Sequence, residues 1–133
     1  MIVLDTHVLV WADGDERKLG RRARTLLNRL WGNGQVAVCA LSFWEAGLLH
    51  SRGRIQLIAA PDEWRGELLA GGLVELAVDG SIAVRAVGLS GLSNDPVDRL
   101  IVATALHHGA ALMTADERLL GWRHPLARHD ARG

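Results

Sequence analysis

Short, wholly apolar runs alternate along this chain with longer segments in which apolar residues recur at helical spacing, and that alternation restricts the fold more than any other feature. Ile2–Leu4, Val36–Leu41, Leu73–Val78 and Ala110–Met113 read as strands, too short for amphipathic helices and apolar but for Glu75. Thr6–Ala12 predicts a helix and Asp13-Gly14-Asp15 a turn. Leu19–Leu30 predicts a second helix, with Leu19, Ala23, Leu26, Leu27 and Leu30 on one stripe and Arg21, Arg22, Arg24 and Arg29 elsewhere. Further helices are expected from Ser42 to about Ser51, stopped by Gly53, after Pro61-Asp62 around Trp64, Leu68 and Leu69, and over Asp79–Gly88. Asn94-Asp95-Pro96 opens another that runs to about His108 and stops at Gly109, and a short one follows from Thr114 to about Leu120. Arg54–Ile58 fits neither pattern, and the tail after Gly121 is expected to add one weak edge strand or stay irregular. Strands alternating with helices in this way predict an α/β domain on a mainly parallel sheet.

At 133 residues, without a biased linker or a repeat, positions 1–133 are expected to form one domain. Such a chain buries about 60–70% of its extended surface on folding, so a metal is not needed to hold it together. Fifteen Lys+Arg balance fifteen Asp+Glu, which excludes a strongly basic packaging protein and an acidic disordered tail. Cys39 stands alone, so there is no disulfide framework or cysteine zinc cluster. The six histidines show no HExxH spacing, and His107-His108 suits a helix C-terminus. The opening Met1–Asp5 lacks a basic leader, and no run approaches eighteen apolar residues; a cytoplasmic protein without a membrane span is expected.

Carboxylates stand at or just after the C-terminal ends of the predicted strands: Asp5, Glu45, the Asp95/Asp98 pair and Asp116. Each has a purely structural explanation. Ser42-Phe-Trp-Glu45 and Thr114-Ala-Asp-Glu117 satisfy the capping-box pattern, and Asp95-Pro-Val-Asp98 can be a cap followed by an acid at the third helical position. An acid in a first helical turn also gains about 0.3–1 kcal/mol from the helix dipole. The conjunction argues for more, because strand C-termini of an open parallel sheet share one edge, where ligands bind. Two carboxylates about 4 Å apart repel by about 4 kcal/mol at an effective dielectric near 20. A cluster of them must therefore take up protons or a divalent cation. An all-oxygen donor set selects Mg²⁺ or Mn²⁺ over zinc. Asp5, at the end of a buried strand, is poorly placed for simple solvation. Glu117 already fits the box that Thr114 would open, which leaves Asp116 free for a ligand.

Taken together, Met1-Ile-Val-Leu-Asp5-Thr6-His7-Val-Leu-Val-Trp11, Leu41-Ser42-Phe-Trp-Glu45, Asp95-Pro96-Val97-Asp98-Arg99-Leu100-Ile101-Val102-Ala103 and Leu112-Met113-Thr114-Ala115-Asp116 resemble, in order, the four motifs of the PIN-domain family. The resemblance is specifically to its VapC-type toxin ribonucleases. It implies a three-layer α/β/α domain with a central, mainly parallel sheet of four or five strands. It also implies metal-dependent cleavage of RNA, with Asp5, Glu45, Asp98 and Asp116 as the catalytic and metal-binding quartet and Asp95 as an accessory acid or helix cap. Family members often carry a histidine shortly before the Asp-Pro motif; Leu92-Ser93-Asn94 stands there instead, so that role is lost or shifted.

On this reading Asp5 and Asp98 are the primary Mg²⁺ ligands, with Glu45 and Asp116 completing the shell. Thr6 and Thr114 are candidates for supporting or phosphate contacts. RNA needs a positive counterpart: Arg17, Lys18, Arg21, Arg22 and Arg24 form the densest basic cluster, and Arg99 follows a proposed ligand directly. The cluster can equally be a solvated helix face. Trp11, Trp44 and Trp64 can help build an apolar groove, and the resemblance implies a homodimer that binds a cognate antitoxin protein. The alternatives are a non-catalytic binding module of the same fold, or a Mg²⁺-binding receiver or phosphatase-type domain. Receiver domains want an adjacent acidic pair after the first strand and a lysine after the last; this chain has a lone Asp5 and a single lysine, Lys18. The phosphatase type wants a second Asp two residues after the first, where this chain has His7.

Overall fold

The computed structural model describes residues 1–14 and 16–133, and the Asp15 end of the turn expected at Asp13–Asp15 lies outside them. Five strands among the described residues, β1 (Ile2–Leu4), β2 (Val36–Cys39), β3 (Val74–Leu76), β4 (Ala111–Thr114) and β5 (Arg128–Asp130), form one sheet in the order β3-β2-β1-β4-β5. Every pairing is parallel, with Leu4 opposite Val38 on one side and Met113 on the other. β5, the weak edge strand expected in the tail, pairs with β4.

Helices cover both faces: α1 (Thr6–Asp13), α2 (Arg21–Leu30), α3 (Leu41–Ser51), α4 (Pro61–Ala70), α5 (Gly80–Val87), α6 (Pro96–His107) and the single turn α7 (Glu117–Leu120). The period-two alternation of strand side chains sorts the core into two layers. Ile2, Leu4, Val36, Val38 and Met113 pack with Val8, Leu9, Leu27, Trp64 and Leu68 beneath α1, α2 and α4. Val3, Ala37, Cys39 and Leu112 pack with Ile82, Ala86, Ile101 and Val102 beneath α5 and α6. The central strands β1, β2 and β4 are almost wholly apolar because both faces are covered. The result is the expected three-layer α/β/α arrangement. No helix among the described residues is long and apolar enough to cross a membrane.

Several boundaries differ from expectation: β3 covers only Val74–Leu76 of the expected Leu73–Val78, and α7 begins at Glu117 rather than Thr114. β2 stops at Cys39, because Ala40 already adopts helical dihedrals and Leu41 begins α3. α2 begins at Arg21, since Gly20 is extended; the Gly20 N–H donates to the Ala131 carbonyl at 2.7 Å. A Cβ on Gly20 would lie 2.4 Å from the Arg132 carbonyl carbon, so the tail can dock there only against a glycine.

Candidate active site: an acidic cleft at the strand ends

Because all strands run parallel, the turns after β1, β2 and β4 open on one edge of the sheet, and there Asp5, Glu45, Asp95, Asp98 and Asp116 line a single cleft of about 370 Å³ with His7, Trp11 and Arg118. Asp5 is 8% exposed. Its Oδ1 accepts from the Thr6 N–H at 2.8 Å and its Oδ2 from the Thr114 hydroxyl at 2.7 Å. Burial raises its proton affinity, against the pull of those two donors. Thr6 donates in turn to the Ser42 hydroxyl at 3.0 Å, so hydroxyls from three chain segments tie the first acid to its neighbours.

Asp98 enters from the first turn of α6. Asp95 caps that helix, its Oδ1 accepting from the Val97 and Asp98 N–H groups at 2.9 and 3.1 Å, and Pro96 fills the first helical position. The Asp98 pKa is raised to about 7, first by burial and then by the negative charges of Asp95, Asp5, Asp116 and Glu45. Distant acids thus meet closely enough to disfavour one another's ionisation. Among the described residues, no three His, Cys, Asp or Glu side chains are drawn close enough to chelate an ion as they stand. The five carboxylates offer oxygen donors, which suit a hard dication such as Mg²⁺ or Mn²⁺ better than zinc.

Asp116 departs from expectation. It is not free: its Oδ1 caps α7 by accepting from the Arg118 N–H at 2.9 Å, and the Arg118 guanidinium pairs with the same carboxylate. That pairing holds its pKa below the ordinary carboxylate range. Thr114 does not cap the helix; its hydroxyl accepts from the Asp116 N–H at 3.0 Å while donating to Asp5, and so bridges two acids. Ser42 likewise makes no capping bond, because its hydroxyl is the acceptor for Thr6. Both capping-box patterns are satisfied in sequence and superseded by tertiary partners.

Arg99 is not among the residues lining the cleft, contrary to what its position suggested. Its guanidinium donates to the carbonyls of Ser93, Ala86, Leu89 and Leu92 at 2.8–3.1 Å and pins the loop between α5 and α6. Arg21 and Arg22 are exposed on α2 and, like Arg24, are not among the residues lining the cleft. Trp64 is core, its indole donating to Asp13 at 2.7 Å, Trp44 is 57% exposed, and Trp11 alone of the three lines the cleft. His7 and Arg118 were not singled out from sequence, although each lies two residues from a candidate acid.

A parallel α/β/α domain with acids gathered at the ends of its central strands defines a class, and the sequence matches the PIN domain family over residues 2–121; the chain belongs to that family. It is similar to Ribonuclease VapC22 of Mycobacterium tuberculosis (strain ATCC 25618 / H37Rv), with 36% identity over 125 residues that make up 93% of each chain. Its fold is similar to a chain of a toxin–antitoxin complex from Klebsiella pneumoniae, with TM-score 0.63 and 21% identity over 92% of this chain and 93% of that one. It is also similar to a chain of VapBC2 from Rickettsia felis, solved bound to a DNA fragment from their promoter, with TM-score 0.68 and 17% identity over 97% and 98%.

Proposed function

We propose that this protein is a metal-dependent endoribonuclease, the toxin of a toxin–antitoxin pair. The observation that carries the reading is the convergence of five acids on one cleft, in which burial, and after it the charge of its four acidic neighbours, drives Asp98 to a pKa of about 7. Kinship with a protein named as a ribonuclease supplies the substrate class.

Asp5 and Asp98 would be the principal ligands of Mg²⁺ or Mn²⁺, with Glu45 and Asp116 completing the site. When bound, the ion supplies Lewis-acid polarisation of the phosphodiester and offsets its negative charge. The protein's own part is positional. The Thr114 and Thr6 donors hold both oxygens of Asp5, which fixes that carboxylate before any ligand arrives. Glu45 or Asp116 orients the attacking water and takes its proton. The new P–O bond forms as the bond to the 3′-oxygen breaks, and that oxygen collects a proton, leaving a 5′-phosphate and a 3′-hydroxyl. The same reading gives the chain a homodimeric state, a cytoplasmic location and an antitoxin as its controlling partner.

The test is cleavage of RNA by the purified protein with Mg²⁺ or Mn²⁺ and with EDTA. Asp5→Ala and Asp98→Ala are expected to lose at least about a hundred-fold in rate. Cleavage by either variant at the wild-type rate, or undiminished cleavage in EDTA, would overturn the assignment. A protein that binds neither ion would instead be a non-catalytic module of this fold.

A further inference from the structure

Among the described residues lining the cleft, Arg118 alone carries a guanidinium, and the catalytic assignment gives it no task. Its side chain is 70% exposed, and it holds Asp116 loosely, with Nη2 3.1 Å from Oδ2 and Nε 3.4 Å from Oδ1. The chain can build a tighter fork at its surface: Arg65 holds Glu75 at 2.7 and 2.8 Å. Charge-assisted bonds of this type settle at about 2.7–2.9 Å, so the Arg118 pair is the weaker of the two. The Arg118 charge also acts on Asp98 and Asp95, across the cleft.

Asp116 meanwhile has competing uses. It caps α7, it pairs with Arg118, and on the nuclease reading it also turns to a divalent cation. The third use removes the partner from Arg118 and leaves a guanidinium at the wall of a cleft that must admit a polyanion. A planar guanidinium suits a phosphate, which it can grip with two parallel N–H bonds. Arg99 cannot serve, because it does not line the cleft and four of its five N–H donors are taken by carbonyls.

We propose that Arg118 is a substrate-binding residue held in reserve: in the free protein it neutralises Asp116, and it passes to a backbone phosphate of the RNA when Asp116 engages the metal. The proposal rests on the nuclease reading and extends it, and it predicts changes of opposite sign on the two ligands. In Arg118→Ala, Mn²⁺ binding measured by calorimetry without RNA tightens about two- to five-fold, because a competing cation is gone. In single-turnover cleavage of an RNA oligonucleotide, the protein concentration giving half the maximal rate rises about ten-fold. Its log–log dependence on salt flattens by about 0.7, the loss expected for one phosphate contact to a single strand. Arg118→Lys keeps Mn²⁺ affinity near wild type and falls between the two in RNA use. The melting temperature of either variant stays within about 2 °C of wild type, as for an exposed pair.

Weaker Mn²⁺ binding by Arg118→Ala would mean that Arg118 merely holds Asp116 in place, and would overturn the proposal while leaving the nuclease standing. So would unchanged RNA half-saturation and salt slope. A wild-type protein that neither binds Mn²⁺ nor cuts RNA would remove both readings together.

Discussion

Asp98 shows how one residue registers the assembly of a whole site. Alone it would be an acid in the first turn of a helix, where the dipole favours its charge. In the fold, burial and four other carboxylates reverse that preference and lift its pKa to about 7. The consequence for stability has a definite sign. Between about pH 4 and pH 7 the folded protein keeps a proton that the unfolded chain has released, so stability falls as pH rises through that window and the loss is complete above it. Allowing for the water that still reaches the carboxylate, the penalty is about 1 to 2 kcal/mol. In EDTA, Asp98→Asn is therefore expected to be more stable than wild type at pH 8 by that amount and equal to it near pH 4, as thermal or urea unfolding will show. Asp95→Asn retains a good N-cap and removes one negative neighbour, so it should lower the Asp98 pKa without unfolding α6. An Asp98 that titrates in Asp95→Asn as it does in wild type, followed by carboxyl NMR shifts, would contradict this account.

The elements themselves were largely legible in sequence, because the central strands β1, β2 and β4 are almost wholly apolar and the helices between them end at residues such as Gly109, whose φ of 61° suits glycine, whereas the polar edge strand β5, Arg128-His129-Asp130, carried no such signal. The acids at the strand ends were legible for the same reason: once the strands are placed, parallel pairing puts Asp5, Glu45 and Asp116 on one edge, whereas Asp95 and Asp98 follow α5 rather than a strand and reach the same cleft from the start of α6. What escaped was any group whose role depends on a tertiary partner. Ser42 and Thr114 fit a local capping pattern but bond across the sheet instead, and Asp116 takes over the cap that Thr114 was expected to provide. Arg99 read as an RNA contact from its position beside Asp98, yet it is the clasp between α5 and α6, and no periodicity announces a guanidinium that collects four carbonyls. Arg99→Ala should accordingly cost about 2–4 kcal/mol of stability, with little recovery in Arg99→Lys, whose ammonium cannot span the same fork. The check is the melting temperature; a variant that melts like wild type but no longer binds RNA would return Arg99 to the substrate.

For the whole molecule, the core lies in two hydrophobic layers away from the acidic edge, where Arg118 offsets only part of the charge of five clustered acids. A bound dication should then stabilise a protein that is already folded. At a hundred times its dissociation constant the gain is about 2.7 kcal/mol. The increase in melting temperature with Mg²⁺ or Mn²⁺ should be larger at pH 8 than at pH 5, since at the lower pH the Asp98 proton must first be displaced. A pH-independent increase, or none, would show that the cations do not use this carboxylate.

Placing β1 at the centre of the sheet also sets the order of events during synthesis. Asp5 is synthesised well before its partners: the strand that supplies Thr114, and the acid at position 116, come more than a hundred residues later. Contacts so distant along the chain form late in folding. A chain interrupted before Thr114 cannot carry the assembled cleft, so on the proposed nuclease reading it would not cut RNA while it is still being made.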